Sequence, residues 1–185
     1  MRVPALALVV LAVASAGCSG GEEASPQAPT VTTGAPVVVV PELPAPVTKT
    51  WVGIHEAFES GEYEELRPFL DHSVFLSDYG FGSDQPDPIE RWKTIGPEPL
   101  ETMGALLGMP HAVKETNEGT LYHWPRFDPD SKAEDIRPAE REAFLTFMTE
   151  VELSNAFIPE YGYTGPRLGI LADGVWWFFL SGGAP

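Results

Sequence analysis

The chain has 185 residues, room for one ordinary domain plus accessories. It carries 11 Lys and Arg against 27 Asp and Glu, a formal net charge of -16. That balance argues against nucleic acid or an anionic membrane surface as a charge-driven partner, since both need a basic patch. One cysteine rules out an internal disulfide framework and a four-thiolate zinc site. Gly 18 and Pro 19 together make about a fifth of the chain, without the repeating period of collagen.

Met1 and Arg2 lead into an apolar run, Val3 to Ala16, broken only by Pro4 and Ser15. The run is too short for a spanning helix, which needs about 20 apolar residues. A positive start, an apolar stretch and then small residues predict a signal peptide over residues 1–17. Ala16-Gly17-Cys18 resembles a bacterial lipoprotein signal, in which a small residue precedes a cysteine that is diacylated and left as the new N-terminus. Ser15 departs from the Leu that the family usually has three residues before the cysteine. The resemblance implies lipid attachment at Cys18, export, and residence on the extracytoplasmic side of a membrane. Two acyl chains suffice for stable anchoring. Two other readings stand beside it. Ala14-x-Ala16 is also an ordinary signal-peptidase site, which would release a soluble protein, and the segment could stay uncleaved as an anchor.

Residues 18–48 read as a tether. Ser19 to Thr48 holds six prolines (26, 29, 36, 41, 44 and 46) and no aromatic residue, so it buries too little apolar surface to order itself. Val37 to Val40 interrupts it, as a short extended piece against the domain or as a strand donated to a sheet edge. All 20 aromatic residues lie at or after Trp51, which places a globular domain at residues 49–185. That segment has 10 basic and 24 acidic residues.

Within it, Trp51, Ile54 and Phe58 form a helical stripe, with Thr50 as expected N-cap and Gly61 as stop. Tyr63, Leu66 and Leu70 predict a second short helix, and Ser73 to Ser77 a strand, followed by the loop Asp78 to Gly82. Asp87-Pro88 opens a helix through Trp92, and Leu100 to Leu107 makes another. Ala112–Glu115 and Thr120–Trp124 predict a hairpin. Pro138 begins a helix presenting Phe144, Leu145, Phe147, Met148 and Val151 on one face. Arg167–Leu171 and Val175–Leu180 flank Asp173-Gly174, a tight-turn signal, and the second of these strands is apolar throughout, so it is expected to be covered on both faces. The whole predicts an α+β fold: a single domain with a mostly antiparallel sheet and several short helices.

Two stretches resemble known groups. His55 to Leu66 is similar to the first helix, break and second helix of NTF2-like domains, which implies a cone-shaped α+β fold. Gly119-Thr120-Leu121-Tyr122-x-Trp124-Pro125 with Tyr163-x-Gly165-x-Arg167-x-Gly169-Ile170-x-x-Asp173-Gly174-x-Trp176 looks like a group of uncharacterised exported bacterial proteins. This resemblance implies location and a shared domain, and transfers no catalytic residue.

The acidic run Asp128 to Asp135 lacks the glycine of a calcium loop and has Lys132 at a ligand position, so it reads as a solvated turn. His55, His72, His111 and His123 have no ligand spacing, and no metal or cofactor is expected. No nucleophile motif or phosphate loop occurs, and no catalytic residue is named. Tyr79, Phe81, Trp124, Tyr163 and Arg167 are the candidate ligand-binding residues: rings on permissive loops or at a strand end, with a scarce cation. Two readings of them remain open: a cleft, or rings closing the core with Arg167 in an internal ion pair. The function expected is a non-enzymatic envelope module that binds a wall component or a protein partner. A small hydrolase using two carboxylates and a structural or assembly protein are the alternatives.

Overall fold

The computed structural model describes residues 42–182 except Tyr79, Pro97 and Pro129. Cys18, the signal segment, Val37–Val40 and Tyr79 therefore lie outside the described residues.

Helix α1 spans Ala45–Ser60 and buries Val47, Trp51, Ile54 and Ala57 on one face. It begins earlier than its expected cap. Pro44 is the N-cap, so residues 45–48, read as tether, are helical. Thr50 is not a cap because its hydroxyl donates to the Gly174 carbonyl, 2.6 Å away, pinning the helix to a distant turn. Gly61 ends the helix in the left-handed region (φ 75), and its N–H donates to the Ala57 carbonyl. A 3-10 turn follows at Tyr63–Phe69.

Strand β1 (Leu76–Ser77) is shorter than expected, because Asp71 to Val74 form a turn capped by the Asp71 carboxylate. Buried Gln85 fixes it, donating to the Phe75 carbonyl at 2.7 Å and accepting from the Ser77 hydroxyl at 2.5 Å. The predicted loop after it holds strand β2, Gly80–Phe81. Helices α2 (Pro88–Ile95) and α3 (Glu98–Leu107) form as the sequence indicates, and the Asp87 carboxylate accepts the Ile89 N–H at 3.0 Å. Strands β3 (Ala112–Thr116) and β4 (Gly119–Trp124) make the hairpin.

The long helix expected from Pro138 is two helices, α4 (Pro138–Phe144) and α5 (Glu150–Asn155). Thr149 and Glu152 form a reciprocal capping box that starts α5 afresh. The break turns the expected stripe: Phe144 is buried, while Leu145 and Val151 are exposed. A small hairpin without a forecast, β5 (Phe157–Ile158) with β6 (Gly162–Tyr163), comes next. Strands β7 (Arg167–Leu171) and β8 (Trp176–Leu180) close the chain around Asp173-Gly174, where Gly174 takes φ 92.

The fold is α+β, a single domain with a six-stranded sheet in the order β2-β1-β8-β7-β4-β3. All its pairings are antiparallel except β1 with β8. Trp124, Leu168, Ile170, Trp176 and Phe179 project from one face into the core with α1, α2 and α3. Trp92 of α2 completes an aromatic cluster there, 6.0 Å from Trp176 and 5.6 Å from Phe179 between ring centroids. The other face is only partly covered. Trp177, Phe178 and Leu180 are half-buried, so β8 is not enclosed on both sides as its unbroken apolar run suggests. No helix among the described residues is long and apolar enough to cross a membrane.

Candidate functional site

Side chains alternate across a strand, so β4 sends Trp124 into the helical core and His123 to the opposite face. Cross-strand register then sets His123 opposite Gly169, and Leu121 opposite Lys114 and Leu171. Gly169 leaves room that the Phe178 ring occupies; a Cβ there would lie 2.4 Å from that ring. The hairpin β5–β6 and the segment around Phe127 and Asp128 border this face. Together they enclose a cleft of about 280 Å³ lined by Lys114, His123, Tyr161, Tyr163, Arg167 and Phe178, among others.

Of the five residues singled out from sequence, the structure brings two together. Tyr163 and Arg167 share this cleft. Trp124 does not line this cleft: it is fully buried in the core, its ring centroid 5.4 Å from that of His111, because its strand position faces the helices. Its indole N–H is buried without a hydrogen-bond partner among the described residues. Phe81 is exposed, but it sits on β2 at the far edge of the sheet and does not line this cleft. Tyr79 lies outside the described residues.

Arg167 is half-buried, and one Nη donates to the Gly165 carbonyl at 3.1 Å. It has no carboxylate within ion-pair distance among the described residues, so the expected internal ion pair is not formed there. Several other cations are matched, among them Arg67 and Lys93 to Glu64 and Glu90, Arg126 to Glu140, and Arg141 to Glu150. Two of these cations hold Glu64 down at about 2. Burial lowers the Arg167 pKa from its ordinary value. Asp78 acts on it only from a distance, its carboxylate being engaged by the Ser181 N–H and hydroxyl at 2.8 and 2.6 Å. Asp128 also lines the cleft, with one oxygen accepting from the Asp130 N–H at 2.9 Å in a local turn. Tyr163 is buried with its hydroxyl donating to the Pro166 carbonyl at 2.9 Å, and burial pushes its phenol pKa up. It is a wall rather than a proton donor.

His123 lies 8% exposed, with Nδ1 3.0 Å from the Pro125 carbonyl. A carbonyl only accepts, so Nδ1 carries the proton and Nε2 the lone pair. Burial lowers its pKa. The unfolded chain takes up a proton below about 6.5, whereas the folded chain does so only at lower pH. Stability from this group is therefore present above the unfolded value and declines as the pH falls from there toward the folded value. His123→Leu is expected to flatten that part of the stability-against-pH curve in urea titrations; an unchanged slope would contradict the assignment.

Lys114 and His123 were not recognisable as site residues from spacing alone. The signal lay in the register of the β3–β4 hairpin, which turns Lys114, Leu121 and His123 to one face. The acidic run 128–135 is a set of local turns, with the Asp135 carboxylate accepting the Lys132 N–H at 2.8 Å.

A second pocket, about 500 Å³, opens on the other side of the Tyr163–Arg167 segment, and Thr164 lines both. Its floor is Trp92 and Phe179. The carboxylates lining it, Glu98 and Glu152, are both exposed. Glu140 is the one buried carboxylate among the described residues, and Arg126 neutralises it at 2.6 Å. No family model matches the chain, and no curated protein or solved structure matches it either, so the likenesses to exported bacterial proteins and to NTF2-like domains rest on their sequence motifs.

Proposed function

We propose that the chain is an extracytoplasmic binding module, tethered to a membrane through a lipid on Cys18, that takes an acidic wall component in the Arg167 cleft. One observation carries the reading: a half-buried guanidinium without an ion pair among the described residues, in a cleft lined by Tyr161, Tyr163, Phe178 and Asp128, in a chain of net charge -16. A desolvated cation gains most from an anion that completes its hydrogen bonds. Rings beside it offer flat apolar area to a sugar or peptide backbone. Lys114 adds a second positive charge at the exposed rim. The paired-carboxylate alternative asks for a desolvated acid in a pocket, and Glu98 and Glu152 are solvated.

The test is a titration of the full chain with purified wall fragments bearing free carboxylates, read by tryptophan emission. Trp177, whose ring centroid lies 5.7 Å from that of the cleft residue Phe178, is the expected reporter. A saturable shift is expected, weakened by salt, with Arg167→Gln lowering affinity about ten- to a hundredfold, the worth of a charge-assisted hydrogen bond. Absence of a shift, or an unaltered affinity in the variant, would remove the wall-ligand reading. The tether is tested separately: Cys18→Ala is expected to release the protein from the membrane fraction, and unchanged partitioning would refute attachment at this sulfur.

A further inference from the structure

The 500 Å³ pocket between α2, α3, α5 and the end of β8 is independent of the Arg167 cleft in its chemistry. Trp92 and Phe179 form a fully buried apolar floor, and Phe147, Met148 and Ile158 continue it outward as half-buried side chains. Its volume falls within the range of small-molecule sites, roughly 300–1,000 Å³. Thr102 lines it at 7% exposure, and its hydroxyl has no hydrogen-bond partner among the described residues. Thr102 Oγ1 is not among the buried unpaired atoms, so it is open to the pocket and available to a ligand atom or water. The exposed lining residues are Ile95, Glu98, Glu152, Asn155 and Ser181, and no Lys, Arg or His lines the pocket. Glu152 is held ionised by the Thr149 N–H and hydroxyl, at 2.7 and 2.8 Å. The pocket thus has an apolar floor and is negative at its opening.

We infer that this pocket binds an amphiphile with an apolar chain and a cationic head, the chain lying on Trp92 and Phe179 and the head between Glu98 and Glu152. An anionic head of the same length meets two carboxylates with no compensating cation, so the site discriminates by charge as well as by apolar burial. Each methylene that enters the pocket raises affinity about fourfold.

The experiment uses the full chain and three probes of equal chain length below their micellar concentrations: dodecyltrimethylammonium, dodecanol and dodecanoate. Isothermal titration is expected to give one saturable site, strongest for the ammonium and weakest for dodecanoate, with octyl and decyl ammonium homologues weaker by several-fold per methylene. Thr102→Met, which fills the interior, is expected to remove binding of both the ammonium and the alcohol. Glu98→Gln is expected to narrow the gap between ammonium and dodecanoate while leaving the alcohol unchanged. Should Thr102→Met fail to fold, Ala156→Leu narrows the same pocket from the end of α5. Ammonium binding that ignores chain length and survives both filling variants would show adsorption to an acidic surface and overturn the proposal, as would equal or tighter binding of dodecanoate. Arg167→Gln leaves this binding intact, so failure here and failure of the wall-ligand reading are separable.

Discussion

Arg126→Met is expected to destabilise the domain by about 3–5 kcal/mol at neutral pH, the usual cost of removing one partner from a buried ion pair. Glu140 is 3% exposed and accepts from Arg126 Nε at 2.6 Å and Nη2 at 3.0 Å, and from the Arg137 N–H at 2.8 Å. Arg126 also donates to the Asp135 carbonyl at 2.7 Å and lies over the Phe127 ring, so it ties the segment after β4 to the start of α4. Burial alone would raise the Glu140 pKa, but the guanidinium and the backbone N–H hold it below the ordinary carboxylate value. In the native protein this group's contribution is present above the unfolded carboxylate pKa, about 4.3, and is lost as the pH falls through the lower folded value. Without Arg126, burial dominates and the folded pKa rises, so the variant gains relative stability as the pH falls from neutral. The gap between the two proteins should therefore shrink between pH 7 and pH 4. Arg126→Met combined with Glu140→Leu should recover most of the loss, because no buried charge remains. Urea denaturation at the two pH values measures both effects. A loss under about 1 kcal/mol at pH 7, or a gap that does not change with pH, would mean the pair is effectively solvated.

Trp92→Ala is expected to cost about 3–5 kcal/mol, as for other large aromatic residues truncated in a core. The indole is 2% exposed and meets four rings: Tyr63, Phe75, Trp176 and Phe179, with centroids 5.6 to 6.4 Å away. With Ile89 it anchors α2 in the core, and its removal opens the floor of the 500 Å³ pocket. A lower urea midpoint with an unchanged slope would locate the effect in the folded state. A shift near zero would show that α2 is not part of the cooperative core.

How far the site could be read from residues follows from which facts are local. Asp87-Pro88 and Asp173-Gly174 act within a turn, through a carboxylate that caps and a glycine that takes positive φ, and both do so in the fold. Thr50 has the chemistry of a cap, yet its hydroxyl goes to Gly174, a partner 124 residues away. Phe144 to Val151 has helical spacing throughout, but the Thr149–Glu152 box competes successfully within the same stretch and divides it. Trp124 and Arg167 were equally plausible as ligand contacts, and a strand's alternation separates them once the helices occupy one face.

The sequence by itself determined the fold class, the β3–β4 and β7–β8 hairpins and the sharp compositional boundary before the aromatic-rich domain, because propensity, turn chemistry and apolar periodicity act over a few neighbours. Only the tertiary structure decided which sheet face is covered, that Arg167 shares a cleft with Tyr161, Phe178 and Asp128 without an ion pair among the described residues, and that an apolar pocket with two rim carboxylates lies beyond it. Those facts depend on strand order and register, which join residues far apart in the chain and which no local pattern encodes.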